Sequence, residues 1–251
     1  MADLAFLWHM HQPDYRHPDS GEFLLPWVFL HAIKDYTDMA AHLERHPHIR
    51  CTVNFVPVLL DQIEDYADQF ATGQWRDPLL RIAATPDPTK LRQADRDWLL
   101  DMAFRCHAPT MLEPFAHYRR LRDLLTFVRA HDGNGLNYLS GHYLADLATW
   151  YLLAWSGESL RRSGKIVPQL MAKGDGFTPA DRQALLAELG AAVGDLIPRY
   201  RALADSGRVE LSCTPGTHPL APLLIDFNAA REAWPECPLP AAPEYPGGRS
   251  R

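Results

Sequence analysis

Two histidines and a glutamine lie together near the start of the chain, in the segment HMHQP. His9 and His11 are separated by one residue, and in an extended chain two such residues point to the same side. Gln12 follows directly, and its amide can both donate and accept hydrogen bonds. This pattern fits imidazole ligation of a metal ion. It fits equally well hydrogen bonding to a polyol, or polar residues that merely end a strand.

A second polar group follows much later in the chain, in GRVELS and the segment after it. Glu210 lies within an otherwise apolar strand pattern, where a carboxylate is rarely buried without a partner. It therefore either faces solvent or belongs to a functional site. His218 follows in the next loop, which is the side of a strand on which α/β barrels build their active sites.

Three short apolar segments are predicted to be β-strands, because buried parallel strands are short and nearly continuous in apolar residues. The expected strands are Leu4 to Trp8, Ile49 to Phe55 and Val209 to Cys213. A helical insertion, at about residues 60–206, separates the second strand from the third. Its last helix is expected from Thr178 to Ser206, with a kink at Pro198. The order of elements predicts an α/β fold with part of a parallel barrel.

The polar segments and the sequence between them resemble glycoside hydrolase family 57. HMHQP is similar to the first conserved region of that family, which is built around His-Gln-Pro, and GRVELS is similar to its second region. Four further segments are similar to the amylopullulanase-like branch: LPWVFLHAIKDY, VNFVPVLLDQIEDY, DLATWYLLAW and THPLAPLLID. The likeness covers essentially the whole chain, and several ordered matches are specific where His-Gln-Pro alone is weak.

The resemblance implies a (β/α)7 barrel that acts on α-glucans. This chain would hold three N-terminal parallel strands of it, with the helical insertion between strands two and three. The implied retaining mechanism needs two carboxyl groups roughly 5–5.5 Å apart. The family pattern places them in a third and a fourth region, and neither is assigned before Arg251. We therefore expect a glycosidase or 4-α-glucanotransferase by family, truncated before its catalytic carboxylates and inactive alone.

The residues carried over by the resemblance lie on the substrate side. His11 matches the histidine of the first region, at the sugar-binding subsite, and Glu210 matches the glutamate of the second region. The other expected substrate-binding residues are His9, Gln12, Trp27, His31 and His218. Trp27 could stack on a pyranose ring, although packing of its helix on the barrel explains it equally well. The resemblance implies no metal and no other cofactor.

Two other classes of function stay open. A metal-dependent hydrolase of the deacetylase or mannosidase type would bind its metal through His9, His11 and His218. Asp14 or Asp19 would then supply a carboxylate, although no Asp-Asp pair follows the first strand. The third class is a non-catalytic carbohydrate-binding remnant, which the missing carboxylate regions favour.

The net charge and the hydropathy of the chain exclude some classes of binding partner. A formal net charge of −6 gives no basic field for binding nucleic acid or an anionic membrane surface. No apolar run approaches the ~20 residues of a membrane helix, and the N-terminus lacks a signal-peptide pattern. We expect a cytoplasmic protein whose partner is an α-glucan or maltooligosaccharide. Residues 1–234 are expected to form one catalytic unit, and residues 235–251 a Pro/Gly-rich extended tail.

Overall fold

The computed structural model describes residues 4–131, 135–242 and 244–246. Within these ranges the chain forms one sheet of three parallel strands in the order β1-β2-β3. The strands are β1 (Leu7–Met10), β2 (Cys51–Phe55) and β3 (Val209–Cys213). Parallel neighbours need long crossover connections, and helices supply them here. The expected α/β fold is confirmed, and the arrangement is consistent with part of a (β/α) barrel.

Side chains alternate between the two faces of this sheet, and the faces differ in character. On one face Cys51, Val53 and Phe55 are buried against the helices. The register places two rows on the other, open face: Leu7, Thr52 and Glu210 in one row, and His9, Asn54 and Ser212 in the next. The polar residues of all three strands therefore share one face.

The first strand begins later than the sequence predicts. β1 starts at Leu7 rather than Leu4. It runs through Met10, which places His9 inside the strand. The cause lies in β2, because Ile49 is still part of a turn in which its amide donates to a carbonyl three residues earlier, at 3.0 Å. β1 can pair only where β2 is extended. The predicted bounds of β3 are confirmed.

Helices fill the chain between β2 and β3, and others lie before β2 and after β3. The α-helices are α1 (Trp27–His31), α2 (Thr37–Arg45), α3 (Pro57–Thr72), α4 (Pro78–Ala84), α5 (Gln93–Met102), α6 (Ala108–Met111), α7 (Ala116–His131), α8 (Gly141–Trp155), α9 (Glu158–Ser163), α10 (Ile166–Lys173), α11 (Pro179–Gly194), α12 (Leu196–Asp205), α13 (Ala221–Ile225) and α14 (Ala230–Ala233). Most side chains of α8 are buried, so this helix forms the centre of the helical core.

Two observations concern the expected tail and membrane segments. In the tail, the described residues 235–242 and 244–246 form neither helix nor strand, and position 243 and positions 247–251 lie outside the described residues. Among the helices that the structure describes, none combines the length and the apolar character needed to span a bilayer.

A proline divides the last long helix before β3. Pro198 has no N–H, and its ring crowds the carbonyl four residues earlier, which belongs to Gly194. α11 ends at Gly194, and α12 begins at Leu196. The predicted kink is therefore a break between two helices, and it lies one turn before the proline.

Gly207 turns the chain from α12 into β3. It adopts a left-handed conformation with φ of 71°. Its amide donates to the carbonyl of Ala204 at 2.8 Å, and the amide of Arg208 donates to the carbonyl of Leu203 at 3.1 Å. These two bonds form a Schellman motif, which ends helices and favours glycine. β3 follows after one residue, so this turn fixes where Glu210 enters the sheet.

A fully buried carboxylate, Asp77, caps the start of α4. Its Oδ1 accepts a hydrogen bond from the amide of Leu79 at 2.7 Å, and the hydroxyl of Tyr66 donates to its Oδ2 at 2.5 Å. Burial disfavours the charged form and raises the pKa of Asp77 to about 6, against the opposing effect of these hydrogen bonds. The folded protein therefore holds a proton on Asp77 at pH values where the unfolded chain has lost it.

The raised pKa predicts a pH-dependent loss of stability. A carboxyl group whose folded pKa of about 6 exceeds its ordinary 3.8 stabilises the fold fully below pH 3.8, and this contribution is lost as the pH rises through 6. Relative to Asp77→Asn, the free energy of unfolding of the wild-type protein should fall by about 3 kcal/mol over this window. Urea unfolding between pH 4 and pH 7 measures it. Asp61→Asn, at an exposed position, is the control. Parallel curves for wild type and Asp77→Asn would contradict the assignment.

Candidate functional site

Three predicted site histidines meet at the carboxyl end of the sheet. His9 lies in β1, His11 follows that strand, and His218 lies in the loop after β3. The ring centroid of His218 is 4.7 Å from that of His9 and 5.1 Å from that of His11, and the centroids of His9 and His11 are 6.1 Å apart. Residues from opposite edges of the sheet thus form one histidine cluster.

A row of hydrogen bonds across the open face holds the first member of this cluster. Nδ1 of His9 donates to Oδ1 of Asn54 at 2.7 Å, and Nδ2 of Asn54 donates to Oγ of Ser212 at 2.9 Å. The three side chains belong to three neighbouring strands in register. Because Nδ1 carries the proton in this arrangement, Nε2 of neutral His9 is left as an acceptor.

The loop after β3 brings His218 to the cluster in a strained conformation. Its φ is 57°, in the left-handed region that residues other than glycine rarely adopt. Its amide donates to the carbonyl of Pro215 at 2.8 Å, which closes a turn. The carbonyl of Gly216 accepts from the amide of Val58 at 3.1 Å and fixes the loop to the start of α3. Such strain persists only where the surroundings hold it, and it is common at functional sites.

His11 has a polar atom without a partner. Its Nδ1 is buried and makes no hydrogen bond to any described residue. Burial lowers the pKa of His11, and the positive charges that His218 and His9 would carry lower it further. The neutral imidazole is therefore favoured. A buried polar atom without a hydrogen bond costs about 1–3 kcal/mol of free energy. A ligand hydroxyl bonded to Nδ1 of His11 would remove this cost.

Three other predicted residues line a cleft of about 630 Å³: Gln12, Trp27 and His31. Its remaining wall comes from residues that the sequence did not single out: Tyr15, Lys34, Asp35, Arg105, Cys106, His107, Met111 and Trp155. Gln12 directly follows His11, so the cleft begins next to the histidine cluster. Gln12 is held at both ends of its amide, which accepts from the hydroxyl of Tyr15 at 2.9 Å and donates to that of Tyr36 at 3.3 Å.

A π-helical stretch, Ala32–Tyr36, joins α1 to α2 beside this cleft. The hydroxyl of Thr37 donates to the carbonyl of Ala32 at 2.7 Å and satisfies a group in the widened turn. Within it Asp35 accepts from Nδ1 of His31 at 2.5 Å and from Nζ of Lys34 at 2.6 Å. Burial raises the pKa of Asp35, but these bonds outweigh it and lower the pKa overall. Single π-turns are frequent at functional sites.

Two tryptophans give the cleft an aromatic wall. The ring centroids of Trp27 and Trp155 are 5.8 Å apart, and His31 stands edge-on to Trp155 at 5.3 Å. Nε1 of Trp155 is buried without a hydrogen-bond partner among the described residues. The cleft therefore offers ring faces for stacking, and an unpaired N–H group lies buried beside them.

Glu210 is not brought into the histidine cluster. It is the second residue of β3, and Oγ1 of Thr52 donates to its carboxylate at 3.3 Å. It lines a separate hollow of about 320 Å³ at the amino end of the strands, with Phe6 and Arg208. From the register, its Cα lies about 12 Å from that of His9 at ordinary strand spacing. It shares the open face with His9, one row away.

The carboxylates that a metal site would need lie elsewhere. Asp14 forms two hydrogen bonds to the guanidinium of Arg16, at 2.9 and 2.8 Å, and Asp19 lies in an exposed turn. Within the described ranges, no group of three or more His, Cys, Asp or Glu side chains is arranged to hold a metal ion. The metal-dependent alternative is therefore not favoured by the geometry of these residues.

Sequence reasoning missed the residues that support the predicted ones. Asn54 and Ser212 are polar positions in apolar strands, and alternation with their neighbours could have placed them beside His9. Trp155 ends the DLATWYLLAW segment, which drew notice only for its likeness. No sequence pattern indicated Lys34 and Asp35 as cleft residues. A regular helix and a π-turn present different residues to the cleft, and the sequence predicted a regular helix.

Comparison with known proteins gives one match. A family model described as glycosyl hydrolase family 57 matches residues 5–236. No curated protein and no solved structure matches the chain.

The closeness of the histidine rings predicts that the charge of His218 affects the pKa of His11. In His218→Asn, which removes an imidazole but tolerates the left-handed backbone, the pKa of His11 should rise towards 6.5. The reason is that repulsion by His218 is one of the causes that lower it. NMR titration of the imidazole signals measures this shift. The exposed His48, replaced by alanine, is the control. An unchanged or lower pKa of His11 would show that the two rings do not interact.

Proposed function

The chain belongs to glycosyl hydrolase family 57, and from that membership we propose that the histidine cluster and the adjoining cleft bind an α-glucan or maltooligosaccharide. The main support is that three histidine side chains, from β1, from the residues after it and from the loop after β3, meet beside a cleft that contains two tryptophans. Sugars offer hydroxyl groups that both donate and accept, and apolar ring faces that stack on aromatic side chains. The histidine cluster can form hydrogen bonds with the hydroxyl groups, and the tryptophans can stack on the ring faces.

The unpartnered atoms support the assignment of individual contacts. Nδ1 of His11 and Nε1 of Trp155 lack partners among the described residues, and both belong to this region. Sugar hydroxyls would complete both. We assign the stacking surface to Trp27, whose ring is half-buried beside Trp155. A cleft of about 630 Å³ falls within the usual size of ligand sites and suits a short run of glucosyl units.

The reaction follows from the family. A retaining glycosidase uses a carboxylate nucleophile and a carboxylic acid–base about 5–5.5 Å apart. Glu210 is the one carboxylate among the strand residues that the structure describes. We therefore assign Glu210 a supporting role on the open face, in contact with sugar or with the catalytic groups. The pair itself is assigned to segments like the family's third and fourth regions.

Within the family, the proposal is an amylopullulanase-like enzyme of the cytoplasm that hydrolyses or transfers α-glucosyl units. The segments LPWVFLHAIKDY and DLATWYLLAW support this branch. They supply Trp27, His31 and Trp155 to one cleft wall. The branch assignment therefore rests on residues that meet in space as well as on sequence likeness.

Stacking by Trp27 predicts a specific loss of affinity. Trp27→Ala should weaken binding of maltoheptaose roughly tenfold, since loss of an aromatic contact of this kind costs about 0.5–1.5 kcal/mol beyond the area lost. Isothermal titration calorimetry measures it. Trp234→Ala is the matched control, because that ring is 58% exposed and does not line the cleft. Equal affinities of the two variants would place the sugar elsewhere.

The positions of the carboxylates predict that this chain by itself has no glycosidase activity. The 251-residue chain should release no reducing sugar from starch, pullulan or maltooligosaccharides. The reason is that the retaining mechanism needs two neighbouring carboxyl groups, whereas Glu210 lines a separate hollow and Asp35, in the cleft wall, is already bonded to His31 and Lys34. A reducing-sugar assay over a day, with a commercial amylase as the positive control, tests this. Turnover that Glu210→Gln abolishes would show that Glu210 belongs to the catalytic pair.

A further inference from the structure

Two adjoining cavities on the helical side of the molecule share one buried cation. The larger, of about 640 Å³, lies between α3, α4 and α11, and the smaller, of about 330 Å³, lies beside α8. Arg182, in the first turns of α11, lines both. None of the residues around either cavity belongs to the histidine cluster or its cleft.

Arg182 is 3% exposed, yet most of its hydrogen-bonding capacity is unused. Nη2 donates to the carbonyl of Pro86 at 2.8 Å. Nε and Nη1 are buried and have no partner among the described residues. A guanidinium has five N–H donors in a fixed plane, so one bond to a carbonyl leaves the group far from satisfied.

No described carboxylate forms an ion pair with Arg182. Asp146 is the acidic group that influences it, but this carboxylate accepts instead from the amides of Gly176 and Phe177, at 3.0 and 2.9 Å. Burial lowers the pKa of Arg182, against the opposing effect of Asp146. A guanidinium nevertheless stays charged near neutral pH. The fold therefore keeps a positive charge away from water without a close counter-ion, which is energetically unfavourable.

The larger cavity offers this charge an apolar setting. Phe70 and Trp75 form its aromatic side, with ring centroids 5.3 Å apart at 78°. Small side chains form much of the rest: Ala67, Ala71, Ala83, Ala84, Ala187 and Ala191. Besides Arg182, only Gln183 and the indole N–H of Trp75 bring side-chain polar groups to the lining, and the lining contains no carboxylate.

We propose that this cavity binds a small organic anion, a carboxylate with an apolar or aromatic body. The carboxylate would approach Arg182 where this residue lines the cavity and compensate its charge, and the body would pack against Phe70 and Trp75. A buried cation is neutralised best by an anion, and charge-assisted hydrogen bonds are the strong ones. An oligosaccharide fits poorly, because only Gln183 and the indole N–H of Trp75 would remain to satisfy its many hydroxyl groups.

Calorimetric titration with four probes tests the chemistry of the ligand. Benzoate and octanoate should bind, whereas benzyl alcohol, with the ring of benzoate and no charge, should bind at least tenfold more weakly. Inorganic phosphate should also bind weakly, because it lacks the apolar body. Equal binding of benzyl alcohol and benzoate, preference for phosphate, or no carboxylate binding up to millimolar concentration would overturn the proposal.

Two substitutions test the location. Ala187→Trp fills the cavity from an exposed helix position without touching the buried arginine, and it should weaken benzoate binding at least tenfold. Ala202→Trp, at an exposed position of α12 outside the cavity, should leave binding unchanged. Arg182→Met should abolish the preference for benzoate over benzyl alcohol. If that variant does not fold, Ala187→Trp still decides, and benzoate binding equal to wild type would refute the site.

Discussion

In the central strand, Val53 and Phe55 point into the helices while Thr52 and Asn54 point away from them. This alternation also sets the direction in which the side chains of β1 and β3 point, because paired residues of parallel strands lie on the same face of the sheet. A shift of one residue would turn each side chain to the opposite face. The burial of β2 on one side therefore determines that the other face is polar. The position of the histidine cluster follows from it.

Several helices in and around the stretch between β2 and β3 are fixed at their N-termini by carboxylates that accept hydrogen bonds from backbone amides. Asp38, in α2, accepts from the amides of Glu158 and Ser159 at the start of α9, at 2.7 and 2.8 Å. Glu188, in α11, caps the start of α10 in the same way. Carboxylates suit these positions, because helix N-termini carry a partial positive charge. Several acidic residues of this chain are thus structural, and they leave Glu210 as the carboxylate of the strands.

Buried polar atoms without partners occur at both proposed sites, as they also do at Arg81, Arg161 and Thr214, and the two sites differ in the chemistry of these atoms. At the first site the unpartnered atoms belong to the rings of His11 and Trp155, which suits a neutral ligand rich in hydroxyl groups. At Arg182 the unpartnered atoms belong to a charged group in an apolar wall, a setting that suits an anion. The two sites therefore differ in the charge of the group left unsatisfied.

The sequence by itself determined the α/β class, the third strand, a disruption of the last long helix near Pro198 and the family, because each depends on local pattern or on ordered motifs. It also identified His9, His11 and His218, but the distances between them depend on strand order and on a strained loop, which no local pattern specifies. The start of β1 was misplaced, because strand ends depend on the partner strand. Only the tertiary structure joined Trp155 to Trp27, separated Glu210 from the histidines and buried Arg182. Each of these is a contact between residues distant in sequence, and packing rather than propensity decides such contacts.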